Sequence, residues 1–128
     1  MRKVFAAVIL LFVLAVLILS ISHRTEVGFR ITVHNNMEQS ISHLVITYPN
    51  GSKEFEMEPR SVKTIHVHPK NFGEGSINLI YIEGQAHQEM IVFGYIENGY
   101  NGRADVSIDS VAENGELQVT VQEKTNLY

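Results

Sequence analysis

Polar and apolar positions follow two rules along this chain, and the change from one to the other falls between Ile21 and Val27. Val4 to Ile21 is an unbroken apolar run of eighteen residues with no charge, no Pro, no Gly and a single hydroxyl, Ser20. As a helix rising ~1.5 Å per residue it would reach roughly 27 Å, close to the hydrocarbon thickness of a bilayer. A helix apolar all round must be buried all round, and no later segment reads as a helix able to cover it. The expectation is a transmembrane helix over residues 4–22, after a short cytoplasmic tail at 1–3.

From Val27 the period becomes two. Val27, Phe29, Ile31 and Val33 alternate with Gly28, Arg30, Thr32 and His34, which predicts a strand with one wet face. The same logic predicts strands over Ile41–Tyr48, around Phe55 and Met57, Val62–His68, Ser76–Glu83, Met90–Ile96, around Ala104–Ile108, and around Leu117–Val121. Asn50-Gly51, Asn98-Gly99, Asn101-Gly102 and Asn114-Gly115 read as turns, because Asn and Gly accept the positive φ that tight turns require. Gly84-Gln85 reads as a two-residue hairpin. Glu54, Glu56 and Glu58 on one face mark an edge strand, where charge discourages sheet-to-sheet pairing. The strands at 76–83 and 90–96 are apolar on both faces, which predicts cover on both sides or a central position. Gly94 inside the second of them predicts a bulge or a close backbone approach. About eight short strands without an amphipathic helix predict an all-β fold: an antiparallel β-sandwich, Ig-like or Greek-key in type, over residues 23–128. The Cys…Trp…Cys set of antibody domains is missing, since the chain has neither residue.

Composition refines this picture in a few places. The 106 residues after Ser22 suffice for one domain and not two, and a domain of that size folds without disulfides. Arg2 and Lys3 before the apolar run resemble a signal-anchor start and favour an internal N-terminus, with the domain outside the cytoplasm of a single-pass cell-membrane protein. The run exceeds an ordinary signal h-region and lacks Ala-x-Ala after it. Cleavage near Ser22, through Ser20-Ile21-Ser22, is the alternative, and it would release a secreted domain. Beyond Ser22 the chain carries 8 Lys and Arg against 14 Asp and Glu. The cations are scattered singly along the chain, which argues against nucleic acid and against docking on anionic head groups.

Candidate chemistry is sparse. His66 and His68 alternate on one strand face, as strand-borne His pairs do when they supply two ligands to zinc or copper. A third ligand would come from His34, His43 or His87. Without it the pair is an ordinary wet face, and no cofactor is expected. Glu54, Glu56 and Glu58 have the spacing that edge protection alone produces. Asp105 and Asp109 with Asn98 and Asn101 lack the calcium-loop pattern. No nucleophile elbow, Walker loop or dinucleotide fingerprint is present, so a hydrolase retains little support. The stretch from Gly94 to Arg103 is different. Tyr95, Asn98, Tyr100, Asn101 and Arg103 are the residue types that binding loops use, because Tyr gives a large amphipathic contact at low entropic cost. The expected function is therefore non-enzymatic: a membrane-held interaction module in the cell envelope, contacting another envelope or membrane protein. An exported Zn- or Cu-binding domain is the alternative.

Overall fold

The computed structural model describes residues 1–22 and 28–126. Helix α1 spans Arg2–Ser22 and is long and apolar enough to cross a membrane, and none of that apolar surface is buried. It begins at Arg2 rather than Val4, because Arg and Lys are good helix formers. Their charges nevertheless oppose the helix dipole at this end, so they contribute little to the helix itself.

Eight strands follow: β1 (Phe29–Asn35), β2 (Ile41–Tyr48), β3 (Gly51–Met57), β4 (Val62–Val67), β5 (Glu74–Glu83), β6 (Ala86–Glu97), β7 (Asn101–Val111) and β8 (Leu117–Asn126). They form two four-stranded sheets, ordered β4-β1-β7-β8 and β3-β2-β5-β6. This is the β-sandwich that the alternating pattern implies, with β3 on an edge. Five of the six strand pairs are antiparallel, but β1 pairs with β7 in parallel. The first strand thus lies centrally in its sheet, entering at the end where β7 also begins.

Between the sheets lies one core, filled by the alternate residues of each strand, among them Ile31, Val33, Leu44, Ile46, Ile77, Leu79, Phe93, Val106 and Ile108. Phe29 and Phe93 meet edge to face across it, with ring centroids 4.9 Å apart. Bulges adjust strands whose apolar residues break parity. Ile41 and Leu44 are three apart, so a plain strand would point them to opposite faces. A register shift at Ser42-His43, with His43 at φ 56°, buries both. In β6 the adjacent Val92 and Phe93 are both buried for the same reason, and the residues opposite Ser76 bulge at Gly94-Tyr95. The expectation of cover on both faces fails for β6, which is an edge strand with Ile91 65% exposed. Asn101-Gly102 is likewise not a turn. Both residues lie in β7, where Gly102 lets the Lys124 carbonyl approach within 2.7 Å of where a Cβ would sit.

Side chains close the two open edges of the sandwich. On one, Lys63 Nζ donates to the Glu56 carbonyl at 3.0 Å and Lys53 Nζ to the His66 carbonyl, joining β4 to β3. On the other, Gln88 of β6 donates to the Leu117 carbonyl and accepts from the Leu117 amide of β8, at 2.9 and 2.7 Å, imitating one rung of a ladder.

Candidate functional site: a cleft at the anchored end

Gly28 is six residues beyond Ser22, so the end of the sandwich where β1 starts lies within about 20 Å of the end of α1 by chain length alone. A cleft of about 390 Å³ opens at this end. Gly28 makes it possible. Its φ is +102°, its carbonyl accepts the Gly102 amide at 3.2 Å, and a Cβ there would strike His68 Nδ1 and stand 2.7 Å from the Val67 carbonyl. β4 can therefore end tightly against the start of β1, which places His68 on the cleft wall.

Two loops supply the remaining walls. The segment from Pro69 to Gly73 is held against the β2–β3 turn by Asn50, whose Nδ2 donates to the carbonyls of Lys70 and Asn71 at 3.0 and 3.2 Å. Phe72 from this segment packs on the core. Opposite it, the β6–β7 turn is closed by the Tyr100 amide donating to the Glu97 carbonyl at 3.1 Å, with Gly99 at φ +94°. The cleft therefore presents an imidazole, an ammonium group, a carboxylate, two amides and the rings of Phe29, Phe72 and Tyr100. That is a mixed surface suited to a peptide-like ligand, with hydrogen-bond partners for main-chain groups and rings for an apolar side chain.

Of the five loop residues expected to bind, three line this cleft: Asn98, Tyr100 and Asn101. The true loop is shorter than the pattern implies, because Tyr95 and Glu97 belong to β6 and Asn101 and Arg103 to β7. Tyr95 stands beside the cleft, its ring 6.4 Å from that of Tyr100 at 73°. Its hydroxyl donates to Glu97, and that bond pushes the phenol up to about 12, with burial and the nearby carboxylates adding to the effect. Arg103 projects from the outer face of its sheet, away from the cleft.

His66 lies in β4, and His68, just past the end of that strand, lines the cleft. None of the proposed third ligands reaches them. His34 is opposite Val62, four residues before His66 in β4, and lies 3.5 Å from Asp105. His43 lies in the other sheet, 3.5 Å from Glu54, and His87 sits at the β5–β6 hairpin. Among the described residues no three His, Asp or Glu side chains gather as a ligand set. The residues once considered for calcium are separated too. Asn98 and Asn101 are at the anchored end, and Asp109 at the far end accepts from Asn36 Nδ2 at 2.8 Å. A wider depression of about 620 Å³ at that far end is lined by charged groups already paired with one another, as Arg60 is with Glu38 at 2.7 Å.

No local pattern signals that His68, Lys70 and Phe72 meet the Asn98–Asn101 turn. The only local hint was the length of the 69–75 connection, since long loops at the end of a rigid sandwich commonly carry function. Comparison with family models, with curated proteins and with solved structures yields no match to this chain.

Proposed function

We propose that the chain is a non-enzymatic interaction module, held at the cell membrane by α1 and presenting its sandwich outside the cytoplasm. Its anchored-end cleft would receive a segment of a neighbouring envelope or membrane protein. The supporting observation is the position of the cleft: it opens at the end nearest the anchor, where a partner embedded in the same bilayer would approach. Arg2 and Lys3, which do little for the helix, support an internal N-terminus through the bias of basic residues toward the cytoplasmic side.

The test is a photoreactive residue in place of Tyr100, in intact membranes, with Glu113 at the far end as the comparison position. A discrete crosslinked adduct from position 100, absent from position 113, is expected. Equal crosslinking from both positions, or none from position 100, would count against the reading.

A further inference from the structure

Four basic side chains, widely separated in sequence, form one row across the outer face of the β4-β1-β7-β8 sheet. His66 is paired with Arg30, Arg30 with Arg103, and Arg103 with Lys124. Their chain neighbours Val67, Ile31 and Ala104 are buried in the core, so strand alternation turns the row outward. Adjacent strands lie ~4.8 Å apart, which makes the row roughly 14 Å long.

Folding stability does not favour such a row, since like charges directly opposite one another destabilise a sheet. Solubility alone does not call for it either: the next outward row, Thr64, Thr32, Asp105 and Gln122, carries a single charge. The row's level matters as well. It stands one residue beyond the first residue of β1, and eight residues of chain, at most about 29 Å, separate Arg30 from Ser22. Lys53, bonded to the His66 carbonyl, and Lys70 lie at the same end. The opposite end carries Glu38, Glu58, Glu83, Asp109, Glu113 and Glu116 against Arg60, whereas the near end sets only Glu74, Glu97 and Glu123 against its cations. A domain of net negative charge is therefore polarised, with its basic end toward the anchor.

We infer that this row docks on the anionic head groups of the bilayer that holds α1. The charge is of the right sign, the row is straight and faces outward, and the tether keeps it within reach of a surface whose potential decays over about a Debye length. This inference is independent of what the cleft binds.

The chain has no Cys, so Gln122→Cys in the adjacent row gives a unique site for a fluorophore. The labelled full chain would be placed in vesicles of phosphatidylcholine, or of phosphatidylcholine with roughly one third phosphatidylglycerol, each containing a head-group quencher. Stronger quenching in the anionic vesicles is expected, present in about 0.01 M salt and lost in about 1 M. Arg103→Gln with Lys124→Gln should weaken docking roughly 25-fold, taking about five-fold for each charge near the surface. Lys124→Gln alone, fully on the surface, should show the single step. In neutral detergent the same variants should melt no lower than the parent, which a purely structural row would not allow. Quenching that ignores lipid charge and salt overturns the inference. So does a charge-dependent signal that survives both substitutions, and so does docking of the row on an acidic protein segment with none on lipid.

Discussion

Replacing Asn35 with Leu should destabilise the sandwich more than almost any other single exchange of similar size. Asn35 ends β1 and is 1% exposed, the one buried polar residue among those described. Its Nδ2 donates to the carbonyls of Gln39 and Glu58 at 2.8 and 2.9 Å, and its Oδ1 accepts the Met37 amide at 3.1 Å. Gln39 belongs to the passage from β1 to β2, and Glu58 to the passage from β3 to β4. One side chain therefore fastens both places where the chain changes sheets at the far end. With Leu, a buried amide and two part-buried carbonyls lose their partner. At about 1–3 kcal/mol for the amide and about 0.5–1 for each carbonyl, the loss is roughly 2–5 kcal/mol, offset by about 1 from the apolar side chain.

For a domain of this size a net loss of about 1–4 kcal/mol corresponds to a fall in Tm of roughly 5–25 °C. Circular dichroism of the detergent-solubilised chain, melted beside the parent, reads it directly. Asn36→Ala removes only an exposed bond to Asp109 and should stay within about 0.5 kcal/mol of the parent. Asn35→Asp is the sharper control, because it keeps an acceptor for Met37 but turns a carboxylate toward two carbonyls. It should be at least as damaging as Leu at neutral pH and should partly recover in acid. An Asn35→Leu protein melting with the parent would refute the reasoning.

Two further outcomes follow from single sites. Tyr81 is pushed up to about 12, first by burial and then by its bond to Glu83, and Tyr95 is raised to about 12, chiefly by Glu97. Because the fold favours the neutral phenol, the stabilisation from Tyr81 is complete below about pH 10 and is lost as pH rises toward 12. Phenolate absorbance should show two late-titrating tyrosines, and only one after Glu97→Gln; a single common titration near 10 would exclude both bonds. Gly28→Ala should cost about 1–3 kcal/mol through its positive φ and its clash with the Val67 carbonyl. Gly73→Ala, which meets nothing within 4 Å, should be neutral in the same denaturant titration.

Residues that act through their own neighbours were readable from the pattern, and those that act through register were not. The apolar run, the alternation of β1 from Phe29 (Val27 lies outside the described residues), the edge position of β3, the Gly84-Gln85 hairpin and the bulge at Gly94 all depend on short-range sterics and period, and each is where the pattern put it. A period of two tells which face a residue takes but not which strand it meets. Hence the parallel β1–β7 pair was invisible, and with it the meeting of Arg30 and Arg103. The cations at 30, 103 and 124 looked scattered because sequence distance has no bearing on register. The role of Asn35 was equally invisible, since its three partners lie at other positions of the chain. Asn101-Gly102 misled for the opposite reason: the dipeptide favours a turn, but the strand needs that Gly so that β8 can come close.

The two ends of the sandwich use their polar groups differently. The far end carries the Asn35 staple, the Arg60–Glu38 pair and the Asn36–Asp109 bond, so its polar groups are largely used on one another. The end nearest α1 instead uses Gly28 and Asn50 to shape a cleft, and it gathers Arg30, Arg103 and Lys124 in one row. Such an end does not need high intrinsic affinity. A short tether raises the effective concentration of anything in the same membrane layer to the mM range, so a contact with a Kd near that value is already substantially occupied. On the proposed reading, a shallow cleft and a single row of charges, each weak in free solution, would be adequate recognition devices for a domain that a membrane-spanning α1 would hold within a few tens of ångströms of the bilayer surface.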